Sequence, residues 1–250
     1  MTILQTIIEA SKSNRKQFAL LIDPDKCDSD QIAYLVTKAV YAKVDFILVG
    51  GSLLLKDRVD ACVRQIKSLS DIPVLLFPGN VMQISKYADG ILFLSLISGR
   101  NPDFLIGQQV IAAPYLKQTE LEILPTGYML IDGGVPTSVS YMSNTTPIPN
   151  GKKQIAYSTA LAGEMLGLQL IYMDAGSGAQ RPVSPKMISY LSKRLSVPLI
   201  VGGGIRTPKA AFEAVAAGAD VVVVGNVLEK DPDLLEQMVN AVHQVAIKQK

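Results

Sequence analysis

Between Pro198 and Asp231 the chain reads PLIVGGGIRTPKAAFEAVAAGADVVVVGNVLEKD, and few architectures accept that order of residues. Two short apolar runs, at 199–201 and 221–224, each end in glycine and each hand over to a helical pattern, one at about 208–217 and one opening at Gly225-Asn226. Unbroken apolar runs belong to strands covered on both faces, the condition of a parallel sheet with helices packed outside it. Glycines at the carboxyl ends of neighbouring strands let backbone amides come close to an anion. Where the last two strands of a (β/α)8 barrel end in this manner, the expected ligand is a phosphate. The same glycines suit tight turns with no ligand, and the motif alone leaves that reading open.

The rest of the chain continues the alternation. An amphipathic helix at 2–17 precedes a strand at 18–22, which runs into Asp23-Pro24-Asp25-Lys26. Helix 29–42, strand 45–49 ending in Gly50-Gly51-Ser52, helix 53–68 and strand 74–77 follow, then Pro78-Gly79-Asn80 turns the chain toward strand 91–94. About 13 residues separate strands three and four, so the third connection is truncated and holds two helical turns at most. Beyond a loop at 95–101 come helix 102–113, strand 127–131, helix 154–167, strand 169–173 and helix 184–195, and helix 233–247 closes the chain. Residues 132–153, rich in Ser, Thr, Pro, Asn and Gly, form a long loop after strand five that suits either a substrate lid or a plain surface excursion. The expected fold is α/β: one (β/α)8 TIM barrel over 1–250, undivided by linker, charge block or repeat.

Composition excludes several classes. A net charge of +2 with 18% charged residues gives no field for nucleic acid. Cys27 and Cys62 are too few and too far apart for a disulfide framework or zinc site, and His243 reads as a surface residue. No signal peptide and no apolar run of about 20 residues is present, so a cytoplasmic protein is expected. A mean hydropathy of +0.27 leaves room for an apolar groove or an interface between subunits.

Chemistry in such a barrel sits at strand carboxyl ends. Asp23, after the first apolar run, points into the barrel mouth, where its oxygens suit Mg2+ with a substrate phosphate completing the shell; Ser52 ends the next strand and adds a hydroxyl. Helix capping is the other role open to Asp23, and the favoured one for Asp25. The stretch Tyr172-Met173-Asp174-Ala175-Gly176-Ser177-Gly178 closes strand six, setting an acid beside a Gly-Ser-Gly turn whose amides suit an anion. With Gly203-Gly204 and Gly225-Asn226 it makes three adjacent loops around one pocket. Asp174 then binds hydroxyls, accepts a proton, or merely forms the turn. No lysine ends strand six and no His/Cys pair is present, which leaves acid/base or metal-assisted chemistry.

Six blocks in order, LIDPDK (21–26), VGGS (49–52), SGRNPDFLIG (98–107), YMDAGSG (172–178), VGGGIRT (201–207) and VVGNVLE (223–229), resemble the geranylgeranylglyceryl phosphate synthase family over nearly the whole chain. The resemblance implies a Mg2+-dependent prenyltransferase that joins the 3-hydroxyl of sn-glycerol 1-phosphate to a polyprenyl diphosphate, geranylgeranyl diphosphate being the expected donor. It implies metal positions at Asp23 and Ser52, and glycerol 1-phosphate at Tyr172, Met173, Asp174, Ala175, Gly176, Ser177, Gly178, Gly203, Gly204, Gly225 and Asn226. Asp174 would be the catalytic acid/base, and Arg100 and Lys117 either contact diphosphate or are ordinary surface cations. Leu21 stands where one branch of the family carries lysine, which resembles the larger branch and implies a homo-oligomer, dimer or hexamer. Two other readings share the opening motif: a barrel isomerase or synthase acting on a sugar phosphate, and a non-catalytic barrel that binds phosphorylated ligands.

Overall fold

The computed structural model describes residues 1–244. Its strands are β1 (Gln17–Ile22), β2 (Phe46–Val49), β3 (Val74–Leu76), β4 (Gly90–Leu96), β5 (Glu122–Leu130), β6 (Leu170–Asp174), β7 (Leu199–Gly202) and β8 (Val221–Val224), all parallel and closed into a barrel in sequence order. Closure is through Gln17↔Val221 to Leu20↔Val224. The fold is a TIM barrel.

Helix α1 (Ile3–Lys12) precedes β1; α2 (Ser29–Ala42) and α3 (Val59–Leu69) follow β1 and β2. Between β3 and β4 there is one 3-10 turn, Val81–Gln83. After β4 a π-helical turn, Asp103–Gly107, leads into α4 (Gln108–Leu116). The segment after β5 carries α5 (Ser138–Met142) and a bridge Ile131↔Ile148 before α6 (Lys153–Met165). α7 (Pro185–Ser192), α8 (Pro208–Ala216), α9 (Asn226–Lys230) and α10 (Leu234–His243) complete the described chain, and the expected helical residues 245–247 lie outside it.

Strand alternation divides the core in two and aims the site. Phe18, Leu20 and Ile22 of β1, and Ile171 and Met173 of β6, pack with helix residues such as Leu35, Val36 and Ile188. The intervening Ala19, Leu170 and Tyr172 join Leu48, Leu92 and Val223 in a second cluster inside the barrel. Because successive strand residues point to opposite faces, Asp23 continues the inward row 19, 21, 23, and Asp174 the inward row 170, 172, 174. Below, α1 closes the opposite end: Ile7 joins the inner cluster, and the Glu122 carboxylate accepts the Ile3 and Leu4 amides at 2.6 and 2.8 Å.

Several expected boundaries move. α1 stops at Lys12, because Asn14 turns left-handed (φ 54°) and Lys16 is drawn into a buried ion pair with Asp220. Residues 50–58 are irregular instead of helical: Leu55 N–H donates to Asp25, and Gln83 ties Gly51 to Gly79, so the loop is held by the neighbouring β1 and β3 loops. β5 begins at Glu122 rather than 127, since ladder pairing with β4 over Gly90↔Glu122 to Leu96↔Tyr128 outweighs the break that Pro125 suggests. The cap of α2 is Asp28, whose side chain accepts the Gln31 amide at 2.9 Å, so neither Asp23 nor Asp25 caps a helix. His243 is not a free surface residue: Nε2 lies 2.9 Å from Asp45 Oδ2, an oxygen that also accepts the Phe18 amide.

Candidate active site

At the carboxyl ends of the strands lies a cavity of about 850 Å3. One wall is built by β1 and β2. Asp23 is 9% exposed; its Oδ1 accepts the Asp25 amide at 3.1 Å, and its Oδ2 pairs with Lys26 Nζ at 2.8 Å. Gly51 lies against this carboxylate, where a methyl group would stand 3.2 Å from Oδ2. Buried Gln83 holds the neighbouring loop, accepting the Gly51 and Gly79 amides at 3.3 and 3.1 Å and donating to Gly51 O at 2.8 Å. Ser52 and Asp25 line the same wall, and the Asp25 Oδ1 atom is buried with no hydrogen-bond partner. Among the described residues no group of three or more His, Cys, Asp or Glu is arranged to hold a metal ion. A carboxylate, an orphaned carboxylate oxygen and a hydroxyl suit Mg2+ that shares its shell with phosphate oxygens rather than a caged resident ion.

A second wall, adjoining the first where β8 pairs with β1, is made by β6, β7 and β8. Gly176 (φ +87°), Gly178 (+83°), Gly203 (+77°) and Gly204 (+71°) adopt backbone conformations that L side chains rarely reach, and so form a concave, amide-rich surface. Asn226 Nδ2 donates to Ser177 Oγ at 2.6 Å and Lys26 Nζ donates to Asn226 Oδ1 at 3.3 Å, linking loops that follow β6, β8 and β1.

Asp174, 7% exposed, ends β6 within that second wall. Tyr128 O–H donates to its Oδ2 at 2.7 Å and the Gly176 amide to its Oδ1 at 2.7 Å. Burial pushes its carboxyl above the ordinary value, and these two donors hold the rise back. Tyr128 and Tyr172 are themselves pushed well up, by burial first and the nearby Asp174 second, so both hydroxyls keep their protons. Phe77 stacks on Tyr172 at 5.1 Å between centroids, and Tyr128 meets both rings edge-on at 5.9 and 5.5 Å. Apolar residues including Ile84, Leu92, Leu94, Phe104 and Val139 complete the lining.

A model of the PcrB family matches residues 11–246, and a geranylgeranylglyceryl phosphate synthase of Chitinophaga pinensis is 53% identical over 244 residues, 98% of this chain and 97% of that protein. The chain belongs to the PcrB family of geranylgeranylglyceryl phosphate synthases. A second relative of the same name, from Spirosoma linguale, is 55% identical over 98% of this chain and 97% of its own length. The crystal structure of (S)-3-O-geranylgeranylglyceryl phosphate synthase from Thermoplasma acidophilum, in complex with its substrate sn-glycerol-1-phosphate, superposes with a TM-score of 0.93 at 34% identity, covering 98% of this chain and 99% of that one.

Within this PcrB barrel, Asp23, Ser52, Tyr172, Asp174, Gly176, Ser177, Gly178, Gly203, Gly204, Gly225 and Asn226 all line the one cavity. Met173 and Ala175 do not: alternation turns Met173 toward the helices, and Ala175 packs into the same outer cluster. Arg100 and Lys117 are also outside it. Arg100 folds back onto Gly99 O at 2.6 Å, and Lys117 is the exposed end of α4. Tyr128, Gln83 and Lys26 were not singled out from the sequence. A tyrosine in an apolar run reads as core, and a glutamine or lysine in a loop carries no local signal.

Proposed function

We propose that this PcrB-family chain transfers a geranylgeranyl group from its diphosphate to the 3-hydroxyl of sn-glycerol 1-phosphate, releasing diphosphate. The observation that carries the reading is the composition of one cavity: glycine-rich strand-end loops and a buried carboxylate share it with a large set of apolar side chains. The relatives' shared name and the sn-glycerol-1-phosphate in the Thermoplasma acidophilum crystal support it.

The loops at 176–178, 203–204 and 225–226 bind the phosphate through backbone amides, Ser177 and Asn226. Held so, glycerol turns its free end toward Asp174, and positioning supplies much of the rate. Asp174 keeps lone pairs beyond those used by Tyr128 and Gly176, and it takes the proton of the 3-hydroxyl as the new O–C1 ether bond forms and the C1–O bond to diphosphate breaks. Asp23, with Ser52 near it, would hold Mg2+, and the ion would supply positive charge against the departing diphosphate. Phe77, Tyr128 and Tyr172 shield the reacting carbon from water, and the apolar lining takes the prenyl chain. With only a 3-10 turn after β3, Val81 and Ile84 leave room there for the chain to run outward. Segment 132–153 acts as a lid, consistent with Val139 and Met142 of α5 facing the cavity.

The exposed apolar stripe of the segment leading into and through α4 (Ile106 60%, Val110 64%, Tyr115 66%) supports a homo-oligomer, dimer or hexamer, which light scattering would test. No described helix is long and apolar enough to cross a membrane, in keeping with work in the cytoplasm. The deciding assay incubates the protein with labelled geranylgeranyl diphosphate, Mg2+ and either sn-glycerol 1-phosphate or its 3-phosphate enantiomer, with an EDTA control. An organic-extractable phosphate ether from the 1-phosphate alone is expected. No product from any prenyl diphosphate would return the barrel to sugar-phosphate chemistry or ligand binding.

A further inference from the structure

Lys26 occupies a position that the roles above leave unused. Its side chain is about half exposed (47%), and its ammonium stands 2.8 Å from Asp23 Oδ2 on one side and 3.3 Å from Asn226 Oδ1 on the other. Asn226 in turn donates to Ser177 Oγ at 2.6 Å. One cation therefore joins the carboxylate assigned to the metal with the two side chains assigned to the glycerol phosphate. Glu229, also lining the cavity, is the other acid whose charge acts on it.

In this arrangement Asp23 already has a counter-ion. A hard cation that takes Asp23 Oδ2 must replace the ammonium, because two positive groups cannot both crowd one carboxylate oxygen without repelling each other. The lysine stem is flexible and carries a compact charge. Once released, its head is already in hydrogen-bond contact with the Asn226–Ser177 pair, where a phosphate would offer up to two negative charges.

We propose that Lys26 is a transferable counter-ion that couples the two substrates. It pairs with Asp23 in the absence of ligands and moves to the phosphate of sn-glycerol 1-phosphate when a metal–diphosphate occupies Asp23. Each ligand then tightens the other, and linkage requires the factor to be the same in both directions. The inference rests on the proposed prenyl transfer only for the identity of the ligands.

Calorimetric titration of the full chain with sn-glycerol 1-phosphate, with and without Mg2+ plus inorganic pyrophosphate, tests it. The wild type should bind the phosphate at least about fivefold more tightly when Mg2+ and pyrophosphate are present. Lys26→Met should bind it more weakly and lose that increase, whereas Lys26→Arg should keep part of it. Asp23→Asn supplies the sharper readout. It sets Lys26 free, so affinity without metal should rise toward the coupled wild-type value and become indifferent to Mg2+ and pyrophosphate. Melting curves confirm that each variant is folded. Equal enhancement in the wild type and Lys26→Met, or weaker metal-free binding in Asp23→Asn, overturns the role of Lys26 while leaving the transferase reading intact. A wild type that binds no glycerol 1-phosphate overturns both.

Discussion

Tyr128→Phe removes a single oxygen from the centre of the site, and its consequence can be worked out in advance. The hydroxyl donates to Asp174 Oδ2 at 2.7 Å, one of the two donors that hold back a carboxyl raised by burial. Loss of a hydrogen bond to a charged acceptor costs about 1.5–3 kcal/mol, against about 0.5–1.5 for a neutral one. The ionised form therefore loses roughly 1–1.5 kcal/mol more than the protonated form, which is about one pH unit at 1.36 kcal/mol per unit. The sign follows: the bond favours the carboxylate, so its removal moves the carboxyl further up. The other neighbours stay in place, namely the Gly176 amide at 2.7 Å and the Tyr172 ring. If Asp174 accepts the proton of the 3-hydroxyl, the acid limb of kcat/KM for sn-glycerol 1-phosphate moves about one unit to higher pH. On that limb the rate drops about tenfold, and at high pH it recovers toward wild type. Tyr172→Phe should leave the limb where it is. A fall of equal size at every pH, with the limb unmoved, would refute the reasoning and reduce Tyr128 to packing.

Four other outcomes follow from the same geometry. At Gly203 (φ +77°) an added Cβ would stand 2.4 Å from Asp174 Oδ1 and 2.5 Å from the Gly176 amide nitrogen, so Gly203→Ala should lower kcat/KM by about a hundredfold or more; near-normal turnover would show that the loop yields. Lys16 and Asp220 pair at 3.1 Å with side chains only 6% and 11% exposed, at the end of the barrel away from the cavity. Lys16→Met should cost about 3–5 kcal/mol in urea unfolding while kcat stays close to wild type. Burial pushes both Cys27 and Cys62 up to about 12, so neither thiol should react with an aromatic disulfide reagent at pH 8 until the protein is denatured. Removing Mg2+ with EDTA should abolish turnover but leave the melting temperature of the substrate-free protein unchanged, because the site's own donors are too few to cage the ion.

The chain order of strands and helices was legible because it is written in local signals. Runs such as 199–201 and 221–224 are apolar without a break, and a strand so composed must be covered on both sides. The glycines at 176, 178, 203 and 204 pointed to strand-end loops that expose backbone, and the structure brings those loops to one cavity. Asp23 and Asp174 stood out as polar residues ending apolar strands, and both line that cavity. Local pattern misplaced what long-range pairing decides. β5 runs through Pro125 because β4 lies beside it, and residues 50–58 stay irregular because Gln83 and Asp25 reach over from other loops.

Sequence by itself thus determined the barrel, the end at which its cavity opens and the loops that line it, since period, glycine and strand-end acids act within a few residues. Only the tertiary structure decided which partners those residues meet. Tyr128 lies 46 residues from Asp174, and Lys26 lies 200 from Asn226. Such pairs exist because closing the barrel sets β5 against β6 and β1 against β8. The protonation of Asp174 and the pairing of Asp23 depend on burial and on atoms contributed across that closure, and neither quantity has any local trace in the chain.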